Sequence, residues 1–163
     1  MKNALTGTMA LLAAGFLIAG AGAQQLAQRK TLTLAVAKQI AAAAEAEASK
    51  NSFTMVIVVV DDGGNLIYLE KMDDTQIGSI EVAQAKAHSA IAFKRPTKVF
   101  QDAVAGGNTA ILKLPGVIAT EGGLPLTADG KVIGAIGVSG GTSQQDGVVA
   151  AAGVASFAKI LGQ

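Results

Sequence analysis

The chain contains no cysteine and no tryptophan, one histidine, three prolines, one tyrosine and five phenylalanines. Without cysteine there can be no disulfide, no thiolate-held metal, no iron–sulfur cluster and no cysteine nucleophile. With His88 as the single imidazole, a multi-histidine metal site cannot form within one chain. With so few aromatic side chains, the core must be built from Val, Ile, Leu and Ala. Neither sign of charge is in excess, with 13 basic against 12 acidic residues. Nucleic-acid backbones and anionic membrane surfaces are recruited by basic blocks, and none is present, so neither partner is expected. A weakly charged surface rich in Ala, Val and Gly favours self-association, and a homo-oligomer is expected.

Long hydrophobic runs are also scarce. The one of substantial length is Ala4 to Gly20, preceded by Lys2 and followed by Ala21-Gly22-Ala23. A positive start, an apolar middle and a small-x-small ending form the pattern of a secretory signal, so residues 1–23 are expected to be removed and the mature chain to begin at Gln24. The rival reading is an uncleaved membrane anchor, since a span needs roughly 20 apolar residues. Ala and Gly dominate the stretch and no basic flank follows it directly, which favours cleavage. The expected location is periplasmic or secreted. Residues 24–163 then form one domain, with twelve basic and twelve acidic residues and no membrane span after cleavage.

Apolar periodicity predicts a helix from Leu34 to Ser49, with Thr33 as its N-cap. The β-branched run Thr54 to Asp61 reads as a strand buried on both faces. Asp62-Gly63-Gly64-Asn65 turns the chain into a second arm, Leu66 to Lys71. Asp73 to Gly78 is expected as a loop. A second helix should run from Ser79 to Arg95 and stop at Pro96. Thr97 should cap a short helix to Ala105, followed by a loop over 109–116. Val117 to Thr120 is expected as a strand, and Leu124 to Thr127 with Lys131 to Ser139 as a hairpin around Asp129-Gly130. A last helix, capped by Thr142 or Ser143 in a capping-box spacing, should run to about Leu161. This order predicts an α+β single domain, with about five antiparallel strands in one sheet and helices against it.

Candidate chemistry is sparse. His88 shares a helical stripe with Glu81 and Arg95, which fits a solvated polar face; imidazole is also a suitable axial ligand for haem iron. A Ser-His-Asp system would need Asp61, Asp62 or Asp146 beside it. No nucleophile–base pair is visible, which leans against an enzyme. Asp61-Asp62 with Asp73-Asp74 matches no EF-hand spacing and fits turn chemistry better, so no metal site is expected. The run from Gly134 through Gly137 to Gly140-Gly141 precedes a helix but lacks the Gly-Lys-Ser/Thr of a phosphate loop and the spacing of a dinucleotide fingerprint. A carboxylate or propionate resting on the N–H groups of Gly140, Gly141 and Thr142 is the more plausible use.

The segment GGLPLTADGKVIGAIGVSGGTSQQD, Gly122 to Asp146, resembles the C-terminal signature of the GlcG/HbpS-like family of haem-binding and haem-degrading proteins, related to the C-terminal domain of the PduO cobalamin adenosyltransferase. Val59 to Leu66 resembles the family's VVD-x-x-G-x-L hairpin. Ala83 to Ala90 resembles its A-x-x-KA helix. Leu114-Pro115-Gly116 with Gly122-Gly123-Leu124-Pro125 resembles its PG…GG-x-P segment. The resemblance covers nearly all of residues 30–161 in the family's order. It departs at Lys71, where the family often has Arg, and at His88, where relatives commonly carry other residues.

The resemblance implies a profilin-like fold and symmetric homo-oligomers. It also implies haem as cofactor, with cobalamin or another corrinoid as the alternative, and a sensor protein as a possible partner. By position it implies a ligand surface formed by Lys86, Thr109, Gly122, Gly123 and Pro125, with Lys86 meeting a propionate and Thr109 offering an oxygen to iron. His88, Gly140 and Gly141 join these as candidates from the reading of the residues. Three functions stay open at this point: haem buffering or sensing, a small-molecule enzyme that includes haem breakdown, and a corrinoid-binding or purely structural assembly module.

Overall fold

A computed structural model describes residues 26–163; the expected signal, 1–23, and the expected mature start at Gln24 lie outside the described residues. The elements follow in the order α1 (Leu34–Lys50), β1 (Val56–Asp61), β2 (Leu66–Lys71), α2 (Ser79–Phe93), α3 (Lys98–Ala105), a 3-10 helix (Thr109–Lys113), β3 (Gly123–Ala128), β4 (Lys131–Ser139) and α4 (Ser143–Ile160). The four strands form one antiparallel sheet in the order β2-β1-β4-β3. The class is α+β, as expected.

Three layers result from the period-2 alternation of β1. Ile57 and Val59 point into a core shared with Ile40, Ala44, Val149 and Phe157 of α1 and α4. Val56, Val58 and Val60 point to the opposite face and pack against Ala83, Ala87 and Ala90 of α2. β1 is therefore buried on both sides, as its unbroken β-branched run predicts. Alanine recurs wherever a helix meets the sheet, and this lets the layers approach closely with few aromatic side chains.

The expected fifth strand is not formed. Residues 117–120 are irregular, because their surroundings offer side-chain partners in place of a ladder. Ile118 N–H donates to Ser89 Oγ of α2, and Glu121 N–H donates to Gln101 Oε1 of α3. α2 ends at Phe93 and not at Arg95, since Lys94 takes the left-handed conformation (φ 51°, ψ 41°) that closes the helix. Thr97 is not a side-chain cap for α3; its hydroxyl accepts a hydrogen bond from Gly123 N–H at 2.9 Å. The 109–116 segment, expected as a loop, opens with the 3-10 turn. Thr33 caps α1 through Val36 N–H, and Thr142 forms the capping box with Gln145.

Candidate functional site

Helix α2 carries both candidate side chains of the central segment. Lys86 and His88 are two residues apart, hence roughly 200° apart around the helix axis. One must face the sheet when the other faces away.

Lys86 faces in. Its side chain is 2 % exposed, and its Nζ donates to Asp146 Oδ2 at 2.6 Å and to the Val138 carbonyl at 3.1 Å. Asp146 sits in the first turn of α4, and its other oxygen accepts from Gly141 N–H at 3.0 Å. Burial lifts the Asp146 carboxyl above its ordinary value, while the hydrogen bond and charge of Lys86 and the Gly141 amide work in the opposite direction. The ammonium is thus committed to an internal pair joining α2, the end of β4 and the start of α4.

The N–H groups expected to cradle an external carboxylate are committed in the same way. Gly141 N–H serves Asp146, and Thr142 N–H donates to Gln145 Oε1 at 2.8 Å. The anion at this helix start is the protein's own side chain. Gly122 and Gly123 are buried beneath Lys86. A Cβ on Gly122, whose φ is +124°, would lie 2.6 Å from the Val138 carbonyl oxygen and 2.9 Å from Lys86 Nζ. One on Gly123 would meet the Lys86 carbonyl oxygen, and one on Gly140 the Thr54 carbonyl oxygen. These glycines bring backbone segments of the protein against one another.

His88 faces out and is exposed. Its ring lies between two turns. A Cβ on Gly64, in the β1–β2 turn, would be 3.1 Å from His88 Cδ2, and one on Gly116, after the 3-10 helix, would be 3.8 Å from Nδ1. With Val60, Leu66, Gln84 and Ala85 it lines a cavity of about 290 Å³. Leu66 is exposed at its rim. The product is an imidazole at the edge of a largely apolar hollow, open to solvent. Among the described residues, its nitrogens make no hydrogen bond to a carboxylate, and no Asp stands in the position a Ser-His-Asp system requires. No cluster of three or more His, Asp or Glu side chains able to hold a metal occurs among the described residues.

The sequence candidates therefore divide. Lys86, Gly122 and Gly141 converge on Asp146 in the interior, with Gly123 and Gly140 packed beside them. His88 stands on the outer side of α2. Thr109 is exposed at the start of the 3-10 helix, and Gly116 is the residue that carries this segment up to His88. Pro125 is half-buried on the edge strand β3, opposite Ala135. Asp146 as the partner of Lys86 is not legible in the sequence; their 60-residue separation hides it. The available signal was the position of Lys86 on the Ala83–Ala87–Ala90 face, where a lysine needs a buried counter-charge.

The chain is similar to several known proteins. A family model described as "Haem degrading protein HbpS-like" matches residues 32–155. A 15.0 kDa protein of the dhaT–dhaS intergenic region of Citrobacter freundii is 39 % identical over 141 residues, spanning 84 % of this chain and 97 % of its own. Protein GlcG of Escherichia coli K12 is 42 % identical over 108 residues, spanning 66 % of this chain and 81 % of its own. Among solved structures, a PduOC:heme complex superposes with a TM-score of 0.72 at 30 % identity, covering 78 % of this chain and 95 % of that one. HbpS superposes with a TM-score of 0.73 at 33 % identity, covering 80 % and 93 %. The family match over residues 32–155 and these identities together establish that this chain belongs to the HbpS-like family.

Proposed function

We propose that the protein is an exported, homo-oligomeric haem-binding protein that buffers or senses haem outside the cytoplasm. The observation that carries this reading is the likeness to a haem complex over 95 % of that neighbour's chain. The residues on the outer side of α2 fit the group. His88 offers an accessible ring nitrogen, Val60, Leu66 and Ala85 offer apolar contact, and Gly64 and Gly116 leave room that a Cβ would fill. His88 would ligate the iron, and the apolar rim would contact the macrocycle. When bound, haem supplies the redox chemistry and the Soret absorption. This chain's residues contribute a ligand, an apolar rest and partial exclusion of water.

The size of the hollow supports the oligomer. A cavity of about 290 Å³ is at the lower limit of small-molecule sites, about 300–1,000 Å³. A tetrapyrrole resting there would leave much of its surface in water, and a second copy laid over the exposed Leu66 rim would cover it. Export rests on the pattern of residues 1–23. A sensor protein that reads the haem-loaded form is the partner this role requires. Titrating hemin into the purified mature protein tests the reading. Binding predicts a saturable Soret shift at micromolar hemin, with cobalamin as competitor to separate a corrinoid site; no saturable shift would reject it.

Haem degradation is the second reading, favoured by the family's description. The chain shows no nucleophile–base pair, so the chemistry would be that of the bound group. Hemin complex mixed with a reductant in the presence of dioxygen, which supplies the oxidant for ring opening, should bleach faster than hemin on a control protein and yield an opened tetrapyrrole. Intact hemin after prolonged incubation would leave binding as the function.

A further inference from the structure

A second cavity, of about 530 Å³, lies where α2 ends against the β3–β4 hairpin. Its floor is apolar: Ile91 and Ile133 are buried and Val132 is half-buried. Its rim is charged and unbalanced. Arg29, Lys30, Lys94 and Lys131 face Asp62 and Asp129. Arg29 pairs with Asp62, and Lys30 with Asp129 at 2.7 Å. Together with Leu32, buried against Gly134, these pairs hold the 29–32 segment in place as one wall. Lys94 and Lys131 have no acidic partner among the described residues.

Lys94 adds a second observation. It occupies the left-handed position that closes α2, with φ 51°. Glycine takes that conformation without penalty and side-chain-bearing residues do not. From that conformation, held at a cost, Lys94 lines the rim of the cavity as a cationic residue.

We propose that this cavity is a binding site for a small organic carboxylate with an apolar body. The carboxylate is held by Lys94 and Lys131, and the body rests on Ile91, Val132 and Ile133. Charge-assisted hydrogen bonds supply selectivity for the anion. The apolar floor supplies affinity that a bare inorganic ion would not gain, and the volume is within the range of small-molecule sites. The site and the His88 hollow have no lining residue in common.

The test is a titration of ¹⁵N-labelled purified protein with benzoate, and in parallel with benzyl alcohol, at low ionic strength. The two probes have the same ring and differ in charge. Benzoate should give saturable shifts concentrated in the amides of Ile91–Lys94 and Gly130–Ile133, and should bind at least ten-fold more tightly than benzyl alcohol. The Lys94→Ala/Lys131→Ala variant should lose at least ten-fold in benzoate affinity. Both lysines are exposed, so an unchanged urea midpoint certifies the fold. Benzyl alcohol binding as tightly as benzoate, undiminished benzoate binding in the double variant, or the absence of saturable shifts would each overturn the proposal. Hemin binding is read at His88, so the two proposals fail independently.

Discussion

Lys86 Nζ and Asp146 Oδ2 lie 2.6 Å apart in the interior, joined across 60 residues of sequence. Neither charge has access to water, and each is the other's compensation. Removing one partner of a buried pair costs about 3–5 kcal/mol, because the remaining charge is left without a counter-ion. Replacing both by apolar residues of similar volume is often neutral. Lys86→Ala should therefore lower the urea midpoint sharply, while Lys86→Met/Asp146→Leu should recover most of the loss. The double variant should also titrate with hemin like the wild type, since the pair is internal. A Lys86→Ala variant within about 1 kcal/mol of wild type would show the pair to be dispensable.

The same pair sets a pH dependence. Burial raises the Asp146 carboxyl in the folded state, so the folded protein holds that proton more tightly than the unfolded chain does. For a group shifted upward, the associated stability is present below the unfolded value, about pH 4, and is lost as pH rises through the folded value. In Lys86→Ala the opposing charge is gone, so the upward shift grows. The stability gap between this variant and wild type should narrow as pH is lowered from 7 towards 4. A constant gap would contradict the assignment.

Asp61 titrates with the opposite sign. Partial burial works to raise it, but hydrogen bonds from the Asn65 side chain and from the Asn65 and Gly63 N–H groups outweigh that and hold it below its ordinary value. Its contribution is present above about pH 4 and is lost as pH falls through the folded value. The Asp61→Ala variant should be less stable than wild type at pH 7, and the difference should shrink below pH 4. Urea midpoints measured across that range check the direction.

Gly137 tests whether the glycine-bearing strand serves packing. A Cβ there would meet the Ala83 carbonyl oxygen and would lie 2.5 Å from the Ala87 nitrogen, both backbone atoms of α2. Backbone cannot rotate away, so Gly137→Ala must push α2 from β4. Overpacking of this kind costs about 1–3 kcal/mol. A thermal melt showing no loss would mean that the helix is free to move.

Legibility in the sequence followed the range of each interaction. The turn at Asp61–Asn65, the Thr142 capping box and the doubly buried β1 are local patterns, readable from neighbours in the chain. The run Val117–Thr120 has the β-branched composition of a strand, whereas Val117 N–H donates to the Leu114 carbonyl and Ile118 N–H to Ser89, a residue 29 positions away that no local window contains. The glycines of residues 122–141 were recognisable as sites of close approach. What approaches them, a lysine ammonium, a carbonyl or the protein's own carboxylate, is decided by packing between distant elements. His88 was visible as the single imidazole; its position between Gly64 and Gly116 required the fold.

The most direct measurement is a hemin titration of the purified protein, followed in the Soret band and repeated with His88→Ala. The account predicts a saturable shift for the wild type. It predicts a loss of at least ten-fold in affinity and a changed Soret maximum for the variant, whose exposed position leaves the fold intact. Identical titrations would contradict His88 as the ligand, and no saturable shift in either protein would contradict haem binding itself.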